Sequence, residues 1–509
     1  MSGTSHPQDR PAPDPRAPVA RALVAIDLGA ESCRISLLRW HEDRPEIQLL
    51  HRIANGPVQA GPSLHWPLDR ILIGVEEGLR KAAASAPEGI RSIAVDGWAV
   101  DYVRLSPDGN PLHTPYCYRD ERTNAAKAAA DTRISPEELF AQTGAQPLRI
   151  NTAYQLFADN RIGNHAGIDA QTPWLLLPEY ILHWLGGRRI AEYTNATHTG
   201  LVDIQTKDWS RPIFARLGLS IEAAPPIVCS GSSVGKLTGP LAKLPAFADT
   251  ELIAPACHDT ASAIAAINSG SHTGMEHTAY IVSGTWSLVG TILDSPITSP
   301  AARHAGFTNQ GSATGGYCFH SNVNGMWILK QCLDHWAQEG RILDLPTLIA
   351  EAAQINSIPG ILNVDAPELL LAGEMPARIN HELTSSSLAA IPATVPDIPG
   401  NEPIFARLIF ASLAARYAVV LNNLQNLTGR TFHQITILGG GSRNALLSQL
   451  TSVSTGLPVI TGEIEGSTIG NFAVQLAAKD PTHIPGQPPS PQLIHKWANR
   501  LAQKSNPTT

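Results

Sequence analysis

The chain has 509 residues, of which 43% are hydrophobic and 16% charged, with a formal net charge of -7. One hydrophobic core stops growing near ~250–300 residues, so this length implies two large domains. The acidic balance offers no field for nucleic acid or an anionic membrane surface, and neither a continuous apolar run of ~20 residues nor an N-terminal apolar block is seen, so a cytoplasmic protein is expected.

Residues 1–20, Pro-rich with Asp, Gln and Arg, are expected to form a disordered leader. From Arg21 onward, Val24-Ala-Ile-Asp27-Leu-Gly29 and Arg34-Ile-Ser-Leu-Leu38 read as strand, tight turn and strand. Residues 72–84 have helical spacing, and 93–105 form a strand-like run closed by the Pro107-Asp-Gly-Asn turn. Helical signals recur at 136–143 and 176–184, and the region 231–235 reads as loop. Near residue 270 the theme restarts with a hairpin over 278–293. A long helix at 405–427, a strand at 434–438, Gly439-Gly-Gly and a helix from Asn444 follow. The order implies an internal duplication of a mixed α/β unit with a cleft between the copies, ending in a mobile Pro- and Ser-rich tail. Cys33, Cys117, Cys229, Cys257, Cys318 and Cys332 lack CxxC spacing and are expected as free thiols.

Four short segments carry chemistry. Asp27-Leu-Gly29 follows a strand, and Gly29 with Ala30 lets backbone N–H groups approach an anion. Ser283-Gly284-Thr285 is a second such turn, and Gly439-Gly440-Gly441-Ser442-Arg443-Asn444 runs from a strand end into a helix. There is no GxxxxGK[ST], and the triple glycine does not meet GxGxxG. His258-Asp259-Thr260 precedes a small-residue helix, where Asp and Thr are also ordinary caps. Phosphoryl transfer to an alcohol needs one carboxylate near the hydroxyl and another near metal-bound phosphates; Asp259 and Asp27 fit if they share a cleft. Trp98, Trp286 and Trp327 are expected to be mostly core aromatics, and His198, His320 and the other histidines, without metal-ligand spacing, surface or satisfied core residues.

Together with Val95-Asp-Gly-Trp-Ala-Val-Asp-Tyr-Val, Tyr118-Arg-Asp-Glu-Arg-Thr123, Glu192-Tyr-Thr-Asn-Ala-Thr197 and Phe307-Thr-Asn, these segments resemble the FGGY carbohydrate kinases, and within them the rhamnulokinases, from about Leu23 to Lys479. The resemblance implies an α/β, two-domain actin/hexokinase-like ATPase (ribonuclease H-like) fold with an interdomain cleft. An N-terminal domain over 21–268 would hold the sugar and the first phosphate motif, and a C-terminal domain over 269–484 the nucleotide, leaving 485–509 as a terminal segment and tail. It further implies transfer from ATP with Mg2+ to the 1-hydroxyl of L-rhamnulose, with another ketose such as L-fuculose or L-xylulose, or a non-catalytic sugar-binding relative, as alternatives. By matching position, Asp259 would be the catalytic base, and Gly97, Trp98, Ala99, His258, Thr260 and Asn322 would touch sugar. Gly29, Ala30, Glu31, Ser32, Cys33, Arg34, Gly284, Thr285, Lys330, Gly440, Gly441 and Asn444 would bind ATP and its phosphates, and Asp27 would hold Mg2+ through water. The partners implied are a ketose and ATP, on a monomer or homodimer. The chain departs from the pattern at Glu31 and Cys33 in the first phosphate turn, at Gly97 and Ala99, at Lys330, and at 148–152, where Pro-Phe is missing before Asn151-Thr152.

Overall fold

The computed structural model describes residues 21–42, 44–162, 168–267, 275–385, 394–463 and 465–502. The expected leader over 1–20 and the domain boundary at 268/269 lie outside the described residues.

The N-terminal lobe is built on six strands, β1 (Ala22–Leu28), β2 (Ser32–His41), β3 (Arg44–Ala54), β4 (Ile90–Gly97), β5 (Ser232–Lys236) and β6 (Glu251–Ala254), in sheet order β5-β6-β4-β1-β2-β3. In the C-terminal lobe, β7 (Thr278–Ser283), β8 (Trp286–Leu293), β9 (Phe307–Gly311), β10 (Tyr317–Asn324), β11 (Gln434–Leu438) and β12 (Val459–Thr461) take the order β9-β10-β8-β7-β11-β12. In both sheets a hairpin opens the lobe, and its first strand pairs in parallel with a later strand: β1 with β4, β7 with β11. A further parallel strand, β6 or β12, then leads towards a helix, Asp259–Ala265 or Gly466–Ala478. This is the expected duplication. β1 reads Ala-Leu-Val-Ala-Ile-Asp-Leu with every residue buried, as a strand covered on both faces must be.

The helix expected at 72–84 extends over Leu68–Ser85. Residues 231–235, expected as loop, instead form most of the edge strand β5, since pairing with β6 overrides the poor strand propensity of Gly and Ser. The helix Glu402–Thr428 is long and apolar enough to cross a membrane, yet it buries Phe405, Leu408, Ile409, Phe410, Leu413 and Tyr417 in the C-terminal core. Within the segment expected to be mobile, Pro491–Ala502 is a helix. Ile494, Trp497, Ala498 and Leu501 recur at helical spacing and bury against Phe472 and Leu476 of the Gly466–Ala478 helix, each large side chain contributing about 1.5–3 kcal/mol.

Helix Gly466–Ala478 follows the C-terminal sheet in the chain but lies on the N-terminal one. Gln475 Nε2 donates to the Val24 carbonyl at 3.1 Å, Ser92 Oγ donates to Gln475 Oε1 at 2.6 Å, and Asn471 Nδ2 donates to Asp96 Oδ2 at 2.6 Å. The two lobes are thus joined at the base of the cleft by buried polar contacts.

Candidate active site

A cavity of about 1910 Å³ lies between the lobes. Asp27, at the end of β1, and Asp259, at the start of its helix, both line it. His258, not Asp259, is the N-cap residue, and Thr260 Oγ1 donates to Asp259 Oδ1 at 3.1 Å. The capping explanation of the aspartate therefore falls away. Its side chain keeps 32% of its surface open. Burial pushes its carboxyl up to about 6, opposed by the hydrogen bonds from Thr260 and by the Arg34 charge.

The loop that delivers Asp259 is held from beneath by the Glu192–Thr197 motif. Glu192 Oε2 accepts from the Cys257 N–H at 2.9 Å, and Thr194 Oγ1 accepts from the His258 N–H at 3.2 Å. Phe307-Thr-Asn docks the lobes: Asn309 Nδ2 donates to the Gly144 carbonyl at 3.2 Å, and Gln146 Nε2 to the Phe307 carbonyl at 2.8 Å. These two motifs position the site rather than line it.

Around Asp27, Arg34 Nη1 lies 3.2 Å from Oδ2, to which Ser467 Oγ also donates at 2.8 Å. Burial raises the Asp27 carboxyl to about 6, Arg34 opposes the rise, and the Asp259 carboxylate adds to it. Asp96, the β4 partner of Asp27 in register, is fully buried and held well above the usual carboxylate range by burial and then by Asp27. Asp27, which lines the cavity, offers a carboxylate oxygen of the kind that suits a hard, oxygen-preferring cation such as Mg2+, whereas Asp96 lies buried behind it.

Most of the expected nucleotide-binding residues line the same cavity: Gly29, Ala30, Glu31, Ser32, Arg34, Gly284, Thr285, Lys330, Gly440, Gly441 and Asn444. Cys33 does not. Strand alternation turns its side chain inward, fully buried, where desolvation pushes its thiol up to about 12, so this side chain, alone among those expected to bind phosphate, is not offered to the cavity. Glu31 is exposed and leaves the turn free of a buried negative charge. Lys330 Nζ pairs with Asp334 Oδ2 at 2.6 Å at the cavity wall. The glycine triplet is used mostly by the backbone: a Cβ on Gly441 would lie 2.0 Å from Ser283 Oγ, while at Gly440 it would meet nothing, leaving that peptide open to a ligand.

Of the residues expected to touch sugar, Trp98, Ala99, His258, Thr260 and Asn322 line the cavity. Gly97 does not; a Cβ there would stand 2.7 Å from Leu28 Cβ, so this glycine serves packing, and the expectation of a sugar contact is corrected. The strand expected over 93–105 breaks after Gly97, and Val100 takes φ 72° in the loop. Thr152 Oγ1 and Gln155 Nε2 donate to the Val100 carbonyl at 2.8 and 3.2 Å and hold that strained turn. Arg149 is not among the residues lining the cavity and donates to the Asp120 carbonyl at 3.0 Å. Of the three tryptophans, Trp98 is buried and Trp327 half-buried, whereas Trp286 is 42% exposed, too open for a core residue. His198 and His320 are buried, and His198 lines the cavity beside Gln310, a pair with no signal in residue spacing.

Behind Trp98, Asp101 Oδ2 accepts from Trp66 Nε1 at 2.5 Å, Trp98 Nε1 at 2.9 Å and the Tyr118 N–H at 3.3 Å, and Oδ1 accepts from Gln155 Nε2 at 3.1 Å. Asp101→Asn would turn an NH2 towards these donors. It is expected to lower stability by about 1–3 kcal/mol in urea unfolding and, by loosening Trp98, to raise KM for the sugar.

Two carboxylates in each other's field on the wall of one interlobe cavity, flanked by three small-residue turns, on duplicated sheets, define a two-lobed ATPase of the actin/hexokinase-like fold. Family models for the N-terminal and C-terminal domains of the FGGY family of carbohydrate kinases match residues 22–266 and 279–479, and the chain belongs to that family. The fold is similar to that of a gluconate kinase from Lactobacillus acidophilus (TM-score 0.72, 16% identity, 95% of this chain and 96% of that one). It is likewise similar to a ligand-bound xylulose kinase from the same organism (0.71, 16%, 95% and 96%) and to Plasmodium falciparum glycerol kinase with ADP (0.68, 13%, 95% and 97%).

Proposed function

We propose that this FGGY kinase transfers the γ-phosphoryl group of ATP to the 1-hydroxyl of L-rhamnulose. The observation that supports phosphoryl transfer is the convergence of Asp27 and Asp259 on one cavity. Asp259 takes the hydroxyl proton as the oxygen bonds to the γ-phosphorus, and the bond to the bridging oxygen breaks with its electron pair leaving on ADP. Asp27 would hold Mg2+, which when bound neutralises phosphate charge. Arg34, Thr285 and the backbone at 29–30 and 440–441 bind and orient the triphosphate. The choice of sugar rests on the resemblance of Glu192–Thr197 and His258–Ala263 to rhamnulokinases. A kinase for another ketose, such as L-fuculose or L-xylulose, is the second reading, favoured by the xylulose kinase among the similar structures.

A coupled ADP-release assay over a ketose panel tests this, with the highest kcat/KM expected for L-rhamnulose. Turnover of L-fuculose or L-xylulose without L-rhamnulose would replace the substrate, and no ketose turnover would remove the kinase reading. Since the Asp259 carboxyl of the free protein is raised to about 6 and must be ionised to accept the proton, kcat/KM should fall on acidification below about pH 6, approaching tenfold per pH unit.

A further inference from the structure

His198 and Gln310 reach the cavity wall from opposite lobes. His198 sits on the single turn Thr197–Thr199 and Gln310 on β9, with Gln310 Nε2 2.9 Å from His198 Nδ1. They are 9% and 8% exposed and both line the cavity. Each keeps one buried polar atom without a partner, His198 Nε2 and Gln310 Oε1. Their placement is rigid, because the His198 ring lies 3.9 Å from that of His258, and the Gly311 N–H donates to Thr197 Oγ1 at 2.8 Å.

Burial holds the imidazole neutral, its pKa well below the ordinary value. If the Gln310 amide donates to Nδ1, the ring carries its proton on Nε2, leaving a free donor on His198 and a free acceptor on Gln310. Turning the amide over and moving the proton to Nδ1 exchanges the roles but still leaves one donor and one acceptor. A carbonyl could satisfy only the donor and an ammonium only the acceptor. A hydroxyl satisfies both. His258 Nε2 is 3.5 Å from Asp259 Oδ1, and His198 lies on the His258 ring, so the pair is set back from the catalytic carboxylate by one imidazole.

Building on the sugar-kinase reading, we propose that His198 and Gln310 jointly bind one secondary hydroxyl of the sugar, distinct from the hydroxyl that is phosphorylated, and select the configuration at its carbon. Because one partner comes from each lobe, that hydroxyl ties the lobes together over the substrate.

The experiment compares the best ketose of the panel with its monodeoxy and epimeric analogues, under Mg-ATP, in the wild-type chain, His198→Ala and Gln310→Met. In the wild type, alteration at one particular carbon should lower kcat/KM by about 10- to 100-fold. In each variant that penalty should shrink to within about twofold while the penalties at other carbons persist, and the parent ketose should lose more in KM than in kcat. Variants that scale every analogue alike, with unchanged melting temperature and ATP-analogue affinity, would show that the pair only seals the lobe contact and would overturn the proposal. Should His198→Ala fail to fold, His198→Phe, which keeps a ring against His258 but removes both ring nitrogens, decides it by the same comparison. A wild-type chain that phosphorylates no ketose would sink the kinase reading instead, whereas an active wild type with indiscriminate variants sinks only the role of the pair.

Discussion

Asp259→Asn is expected to lower kcat by about 10²–10⁴-fold while leaving KM for the ketose nearly unchanged. The amide keeps the size of the carboxylate and can still accept from Thr260 Oγ1, so the start of the Asp259–Ala265 helix is undisturbed. What it cannot do is take a proton from the attacking hydroxyl. That contribution exists only in the transition state, so kcat and kcat/KM should fall together. In the variant the decline below about pH 6 should become shallower rather than vanish, because the Asp259 ionisation is gone while the Asp27 carboxyl, also raised to about 6, still titrates there. ADP release followed across pH in both proteins checks both points. Unchanged turnover would mean that another group accepts the proton.

Local chemistry made the two key aspartates readable. Asp27 and Gly29 end a wholly apolar strand, and Asp259 opens a helix of small residues, so each announces a turn with a carboxylate facing out of it. Duplication was readable for the same reason, since both hairpins and the strand Gln434–Leu438 carry their own periodicity. Residues that act through distant partners were not. Ser467 bonds to Asp27 across 440 positions, and Asn471 to Asp96 across 375, and nothing in either short segment signals the other. For Cys33 a matching position speaks for the backbone but not for the face of the strand, and alternation from Ser32 sends its thiol into the core. Gly97 and Gly441 show the same ambiguity: a missing side chain can make room for a ligand or for a neighbouring strand, and at these positions the neighbour occupies the space.

Gly470→Ala should damage both stability and turnover, although by local propensity alone it ought to help. Alanine is better than glycine in a helix interior by about 0.8–1 kcal/mol, so a site with room would be stabilised. Here a Cβ would fall 1.7 Å from the Ser262 carbonyl oxygen and 2.6 Å from its carbon, backbone atoms that no rotamer change can move. The helices Gly466–Ala478 and Asp259–Ala265 would have to part by roughly 1 Å. Overpacking of this kind costs about 1–3 kcal/mol, enough to overturn the propensity gain. Ser262 sits one turn after Asp259, and its N–H donates to the His258 carbonyl at 3.0 Å, so the base moves with it. On the other helix Ser467 and Asn471 hold Asp27 and Asp96, so the phosphate side moves as well. Misplacement of reacting groups by about 1 Å lowers rates on the order of 10²-fold. Thermal unfolding and steady-state turnover of Gly470→Ala measure the two effects together. A variant that melts higher than the wild type and keeps full kcat would show that the crossing relaxes freely and does not set the alignment of the two carboxylates.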